Sequence, residues 1–191
     1  IMIAVMFELG LINNLGKFNR DLATERIQED NGVWEYVLAW TDETQIDRDI
    51  VLTEIDIENL IRAKGAIFSG CMTLLAEVGM GMQDIDRIIL AGGFGSYVDL
   101  EKAITIGLLP EIDADKVTFI GNSSLLGAKM SSLTNRIRKD VVEATRSMTN
   151  FELSETPSYM DNYVAALFLP HTDINQFPRL KERLAQRRQN T

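Results

Sequence analysis

The sequence has very little of the residues that build metal and redox sites. Its 191 residues include one cysteine, Cys71, and one histidine, His171. A single cysteine cannot form an intrachain disulfide, a multi-cysteine zinc site or an iron–sulfur cluster by itself. With only one histidine, neither a Ser-His-Asp triad nor a zinc site is a natural interpretation of the sequence. We therefore expect no metal ligands and a reducing, cytoplasmic setting.

Long apolar runs and an excess of positive charge are also missing. No run approaches the roughly 18 apolar residues of a membrane span, and the apolar start at Ile1–Phe7 lacks a basic n-region and is interrupted by Glu8. The net charge is −9, and a net anion repels phosphate backbones at long range. We expect neither a membrane nor a nucleic-acid partner.

The apolar pattern predicts an α/β fold with a mainly parallel sheet flanked by helices, because predicted strands alternate with helices. The predicted strands are 33–40, 50–52, 86–91, 117–120 and 151–153. The predicted helices are 1–14, 22–29, 53–78, 100–108, 123–148 and 158–168. The pattern already runs at Ile1, so we expect a piece of a longer protein. Residues 171–191 are polar and basic and are predicted to be a solvated tail.

The strongest chemical signal is a glycine-rich segment directly after the predicted strand 86–91, namely Gly92, Gly93, Phe94, Gly95 and Ser96. It puts bare backbone at the carboxyl edge of a sheet, where α/β proteins usually bind ligands. Glycine is needed where a flat base or a phosphate must touch the main chain. The segment matches neither a P-loop nor G-x-G-x-x-G. A tight strand–helix turn explains the same pattern.

A second glycine-rich strand end lies about 30 residues further on. Gly121, Asn122, Ser123 and Ser124 follow the strand 117–120 and open the next helix. Helix N-termini present free N–H groups and favour anions, although helix capping alone also accounts for these residues. We predict that the two strands are neighbours in one parallel sheet. Their glycine-rich ends then form one nucleotide-sized cleft.

Lys64 interrupts an apolar helical stripe, which consists of Ile57, Leu60, Ile61, Ile67, Phe68, Cys71, Leu74, Leu75 and Val78. One interpretation is a cation that points at a bound nucleotide near Gly93–Ser96. The other is a lysine whose ammonium reaches solvent at the stripe edge. A buried ammonium needs an acidic side chain, carbonyls or a ligand anion.

Weaker signals have simpler explanations. The carboxylates of Asp42, Glu43, Asp47 and Asp49 could ligate magnesium, but an acidic run is usually a solvated loop. Cys71 is predicted to be an inert core residue, and His171 a surface residue.

Several blocks, in order, resemble the C-terminal part of reductive activators of corrinoid proteins. They are Val37–Thr44, Arg48–Val51, Asn59–Ile67, Leu90–Ser96, Ile106–Pro110, Gly121-Asn122 and Gly127–Met130. The resemblance covers roughly residues 1–170 and implies the ATPase fold shared by actin, sugar kinases and heat-shock chaperones. It also implies that residues 1–170 are the C-terminal part of the ATPase domain.

The resemblance implies a function as well. Full-length activators couple ATP hydrolysis to reduction of a cobalt(II) corrinoid to cobalt(I) on the corrinoid protein of a methyl-transfer system. The implied cofactors of the parent protein are ATP with magnesium, and an iron–sulfur cluster in a ferredoxin domain that this chain lacks. The implied partner is that corrinoid protein. A homodimer is also possible.

The expected nucleotide contacts come from both lines of reasoning. The resemblance implies that Gly92 and Gly93 bind adenosine, with Phe94, Gly95 and Ser96 beside them. The sequence pattern adds Gly121, Asn122, Ser123 and Lys64, and it assigns no catalytic residue.

Two departures from the family pattern limit the expected activity. The chain lacks a cysteine cluster and the Asp-x-Gly-Thr-type phosphate loops of the superfamily. We therefore expect a fragment without appreciable ATPase activity of its own. A non-enzymatic docking or dimerisation lobe that binds no nucleotide when isolated is the alternative. An activator of 2-hydroxyacyl-CoA dehydratase is a third possibility, against which the single cysteine argues.

Overall fold

Five strands and eight α-helices form in the part of the chain that the computed structural model describes, which is residues 1–95 and 97–189. The strands are β1 (Ile27–Asp30), β2 (Val33–Ala39), β3 (Ile50–Thr53), β4 (Ile88–Leu90) and β5 (Val117–Phe119). The helices are α1 (Met2–Glu8), α2 (Glu54–Glu77), α3 (Gly92–Gly95), α4 (Leu100–Thr105), α5 (Ser123–Leu133), α6 (Asn135–Arg146), α7 (Pro157–Ala165) and α8 (Pro178–Gln189).

The described strands form two separate sheets. β1, β2 and β3 are antiparallel in that order, and β4 pairs with β5 in parallel. The turn between β1 and β2 is Asn31-Gly32, where both residues have positive φ angles, 50° and 82°. This two-residue turn makes the next strand return antiparallel. The prediction of an α/β fold is confirmed, but that of a mainly parallel sheet is wrong for the three-stranded sheet.

Helix α2 begins with a reciprocal cap. The N–H of Asp56 donates to Thr53 Oγ1 at 3.1 Å, and the N–H of Thr53 donates to Asp56 Oδ2 at 3.0 Å. Bonds from the Thr53 hydroxyl and N–H lower the pKa of Asp56. One face of the helix buries Ile57, Ile61 and Phe68. Cys71 is exposed, so its predicted place in the core is wrong.

Two apolar clusters hold these elements together. The larger one joins α1, α2, the segment between them and the turns after α4 and α7 through Ile3, Ala4, Met6, Ile12, Phe18, Ile57, Ile61, Ile106 and Leu169. The smaller one contains Phe68, Ala166, Phe177 and Leu180. Because Phe177 and Leu180 are buried, the segment predicted as a solvated tail contributes side chains to the core. His171 is only 9% exposed and contacts the Phe68 ring, so its predicted surface position is wrong.

Several predicted elements differ in the structure. The predicted helix 1–14 ends at Glu8, and part of the predicted helix 22–29 is strand β1, because pairing with β2 overrides its weak helical pattern. The predicted helix 123–148 is divided at Thr134, which has extended backbone and caps α6 by accepting from the Arg136 N–H at 3.1 Å. The predicted strand 151–153 is not a strand; a 3₁₀ turn occupies Leu153–Glu155.

Gly107 gives a direct test of the packing between α4 and the turn after α7. Its φ is +73°, and a Cβ there would overlap the Pro170 carbonyl oxygen. We expect Gly107→Ala to lower the free energy of unfolding by about 2 kcal/mol or more, because it combines backbone strain with a backbone clash. Urea unfolding measures the loss.

Gly10→Ala is the matched control for this substitution. Gly10 has nearly the same φ, +72°, but no atom lies within 4 Å of a Cβ built on it. It therefore reports the backbone strain alone. Equal losses in the two variants would contradict the close approach of Pro170 to Gly107.

Candidate functional site

The ends of β4 and β5 lie together at one edge of their sheet. Ile88 is opposite Val117 and Leu90 is opposite Phe119. Immediately beyond, the N–H of Gly92 donates to the carbonyl of Gly121 at 2.7 Å. The prediction that the two glycine-rich strand ends lie side by side is confirmed.

The backbone at these strand ends is bare. Gly92 and Gly121 have positive φ angles, +91° and +62°. Apart from the neighbouring backbone, no atom of the residues that the structure describes lies within 4 Å of a Cβ built on Gly92, Gly93 or Gly121. A flat group can therefore approach the main chain closely here, which a side chain would prevent. Gly92–Gly95 form the short helix α3, and the predicted site residue Ser96 lies outside the described residues.

Asn122 and Ser123 make the hydrogen bonds at the N-terminus of α5. The N–H of Leu125 donates to Asn122 Oδ1 at 3.0 Å, and the N–H of Ser123 donates to the Gly121 carbonyl at 2.9 Å. Asn122 is thus an N-cap, the alternative that the sequence left open. The positive end of the α5 dipole lies next to Gly121, so this position also suits an anion.

Lys64 is buried, with only 1% of its surface exposed. Its ammonium donates to the carbonyl of Phe168 and, at 2.6 Å, to that of Pro170. These carbonyls belong to the turn after α7. The described partners of Lys64 are thus in this turn and not at Gly93–Gly95, while Ser96 lies outside the described residues. The alternative in which the Lys64 ammonium reaches solvent is wrong. The expectation of carbonyl partners is confirmed.

The surroundings of Lys64 disfavour charge. Burial lowers the pKa of Lys64 to about 7. The pKa of His171 is also lowered, first by burial and then by the nearby Lys64 charge. Through its two carbonyl contacts, Lys64 holds the segment 168–171 against α2. Its position therefore indicates a contribution to the stability of the fold.

A buried carboxylate connects the first helix to the last. Glu8 contacts Lys102 at 3.1 Å, Arg183 at 3.0 Å and Arg187 at 3.3 Å, while its side chain is 1% exposed. Sequence reasoning missed this cluster because α8 was predicted to be a tail. The available signal was Glu8 itself, a single charge that ends an otherwise apolar helix.

A groove of about 700 Å³ lies between α4 and α8. Its basic side chains already have acidic partners: Arg179 contacts Glu111 at 3.2 Å and Asp113 at 2.6 Å. Its lining residues are Tyr97, Val98, Asp99, Leu100, Glu101, Ile104, Glu111, Ile112, Ala114, Arg179, Leu180 and Arg183. None of these lining residues is a predicted site residue.

The acidic segment before β3 stabilises its own loop. Asp49 accepts from both the N–H and the hydroxyl of Thr41 at 2.6 Å, and Glu43 accepts from the Trp40 N–H at 2.9 Å. Among residues 1–95 and 97–189, no three His, Cys, Asp or Glu residues are grouped to hold a metal ion. Within the same ranges, every helix is too short or too polar to cross a membrane.

The comparison with known families decides the relationship. Residues 1–181 match the family of the C-terminal domain of RACo, described as the ASKHA domain. The chain belongs to this family. The match extends beyond residue 170 into α8, in agreement with the buried Leu180.

Individual RACo-like proteins are similar over most of the chain. A solved structure titled reductive activator for corrinoid, iron–sulfur protein superposes with a TM-score of 0.85 at 48% identity, covering 93% of this chain and 28% of that one. The corrinoid activation enzyme RamQ of Eubacterium limosum is 31% identical over 170 residues, which are 85% of this chain and 28% of RamQ. A [Co(II) methylated amine-specific corrinoid protein] reductase of Methanosarcina barkeri is 36% identical over 100 residues, 52% of this chain and 18% of the reductase. The chain spans less than a third of each of these proteins.

Proposed function

We propose that this chain is the ATP-binding part of an activator that couples ATP hydrolysis to reduction of a cobalt(II) corrinoid to cobalt(I). The corrinoid is carried by a partner protein of a methyl-transfer system. The observation that carries the proposal is the pair of bare glycine backbones, Gly92 and Gly121, joined at one sheet edge in a RACo-family chain.

The geometry suits the adenosine end of ATP. A flat base needs open backbone, and Gly92 and Gly93 provide it because no described side chain lies within 4 Å of a Cβ built on either glycine. The N-terminus of α5 beside Gly121 favours a negative group. In this proposal Gly92 and Gly93 hold adenosine and Gly121 borders the phosphate side. Lys64 has no part in it, because its ammonium is engaged elsewhere.

ATP hydrolysis requires groups other than these glycines. Phosphoryl transfer depends on phosphate loops and magnesium for positioning and charge stabilisation. Hydrolysis of ATP bound with magnesium would supply the free energy that drives reduction of the cobalt(II) corrinoid. The contribution that we assign to this chain is to bind and orient the nucleoside. The names of RamQ, the reductase and the solved activator support a corrinoid protein as partner.

Gly92→Asn tests the nucleoside contact in the full-length protein. Asparagine is the side chain that best tolerates positive φ, but it fills the space that we assign to adenosine. We expect the ATP dissociation constant to rise at least about tenfold, which is about 1.4 kcal/mol. Calorimetry measures binding, and the absorption spectrum of the corrinoid follows ATP-dependent formation of cobalt(I).

Gly32→Asn is the matched control, because Gly32 also has a positive φ, +82°, and open space around it. It lies in the β1–β2 turn, and its substitution should leave the dissociation constant unchanged. Equal ATP binding by both variants would refute the adenosine site. A wild-type protein that binds the corrinoid partner but no nucleotide would favour the docking-lobe alternative.

A further inference from the structure

Helix α6 concentrates positive charge in a chain that is otherwise acidic. Residues 123–150 contain five lysines and arginines and two carboxylates, which give a net charge of +3. The rest of the chain has 14 lysines and arginines and 26 carboxylates, a net charge of −12. Four of the five cations lie within the 12 residues of α6, namely Arg136, Arg138, Lys139 and Arg146.

Three of these cations share one face of α6 with an amide, a valine and a carboxylate. Their spacings of three, four, seven and eight residues put them on the same side of the helix. We call this surface the basic α6 face, and all of its members are exposed. A concavity of about 680 Å³ lies along it, and the residues of the face are Asn135, Arg138, Lys139, Val142, Glu143 and Arg146.

The charges of the basic α6 face are not used within the described fold. The cations of α8 differ, because they contact carboxylates of other elements. Arg138 donates from Nε to the Ser131 carbonyl at 2.7 Å, which holds it at the junction of α5 and α6. Lys139 and Arg146 form no ion pair with any residue that the structure describes. Both ammonium and guanidinium are therefore free to meet an external carboxylate.

We propose that the basic α6 face is the docking surface for an acidic patch of the partner protein that carries the corrinoid. The inference rests on the proposed function and adds to it the place and the chemistry of the contact. Lys139 and Arg146 pair with carboxylates of that protein, and Glu143 pairs with one of its cations. Val142, which is 50% exposed, supplies a small apolar contact between them.

The carboxylate in this face favours a protein over a polyanion. Glu143 lies four residues after Lys139 and three before Arg146, so it is a neighbour of both on the helix surface. A nucleic acid or an anionic membrane presents negative charge alone, and both Glu143 and the net charge of −9 repel it. A protein surface offers charges of both signs and matches all three side chains.

The polar composition of the face fits a contact that forms and dissociates. In the proposed function one activator reduces many corrinoid proteins, so it must release each one before it serves the next. Electron-transfer encounters of this kind use small interfaces, and non-obligate interfaces are about as polar as the rest of the surface. Opposite charges on the two partners raise the association rate more than the affinity. One valine among five polar side chains is consistent with such an interface.

Charge reversal tests the docking surface in the full-length protein. For the double variant Lys139→Glu and Arg146→Glu, we expect the association rate constant with the corrinoid protein to fall at least about tenfold at low ionic strength, because attraction becomes repulsion. The difference should shrink as salt is added, since salt screens long-range steering. Stopped-flow mixing measures the rate, and calorimetry should show unchanged ATP binding. The neutral variant Lys139→Gln and Arg146→Gln should give a smaller loss.

The control is the double variant Arg48→Glu and Arg87→Glu, which changes the net charge equally at exposed positions outside α6. It should keep most of the association rate. An equal fall in both charge-reversal variants would overturn the docking surface, because net charge alone would explain it. So would an unchanged rate in the α6 variant, or wild-type binding to phosphatidylglycerol vesicles that this variant loses, which indicates a membrane. A wild-type protein that never binds the corrinoid protein would refute the proposed function, and this inference with it.

Discussion

Replacing Lys64 with methionine should remove a rise in stability that the wild-type chain shows between pH 7 and pH 10.5. Lys64 is 1% exposed, and the described partners of its ammonium are two carbonyls. Burial lowers its pKa from 10.5 to about 7. Between these two values the unfolded chain holds a proton on Lys64 that the folded chain has released. The free energy of unfolding therefore increases with pH in this window and is at its minimum below pH 7.

The size of the effect follows from the same two pKa values. The full difference corresponds to at most about 5 kcal/mol. Methionine fills a similar volume and does not titrate, so the difference in stability between wild type and variant should grow in favour of the wild type from pH 7 to pH 10.5. The variant also leaves the Phe168 and Pro170 carbonyls without their donor, which costs about 1–3 kcal/mol at every pH.

Urea unfolding at pH 7, 8, 9 and 10 measures this difference, in which the titration of groups away from Lys64 cancels. His171, whose pKa the Lys64 charge affects, titrates mainly below this range. Lys139→Met, at an exposed position in α6, is the control and should show no change with pH. A flat difference for Lys64→Met as well would mean that the ammonium is solvated in the folded protein.

Glu8→Gln should lower the free energy of unfolding by about 3 kcal/mol. The substitution keeps the shape of the side chain but removes the negative charge that faces Lys102, Arg183 and Arg187. Removal of one partner from a buried ionic cluster typically costs 3–5 kcal/mol, because the remaining charges lose their compensation. We take the lower value because the three cations are 19%, 30% and 46% exposed.

Glu58→Gln is the control for the removal of a carboxylate. Glu58 pairs with Arg62 at 2.6 Å, but both side chains are about half exposed, so its loss should cost no more than about 0.5 kcal/mol. Thermal or urea unfolding of both variants at low and high salt distinguishes the two environments. A loss of similar size in both would contradict the burial of Glu8.

The parts of the fold that could be predicted from the sequence depend on local signals. The start of α2 follows from Thr53 and Asp56, which cap the helix with their own side chains. The parallel neighbours β4 and β5 follow from two short apolar strands separated by a helix. The adjacency of Gly92 and Gly121 then follows from strand pairing alone.

The parts that could not be predicted depend on contacts between distant residues. The sequence around Lys64 shows that the residue is enclosed by apolar positions, but the Phe168 and Pro170 carbonyls that bind it are more than 100 residues away. Likewise, α8 has a polar, basic sequence, and its docking rests on a few buried groups such as Leu180 and on the Glu8 carboxylate. Local periodicity carries no information about either partner.

The cluster around Glu8 also bears on the order in which the chain folds. Contacts from Glu8 to Arg183 and Arg187 close a loop that includes nearly the whole described chain, and closing a loop of that length costs more entropy than forming the neighbouring α1–α4 contact. The last helix should consequently dock after the core around Ile57 and Ile61 has formed. Compared with α1, α2 and α4, which also bury side chains, α8 should be the first to detach as the protein opens, and a protease acting on the native protein should cut near α8 before it cuts those three helices.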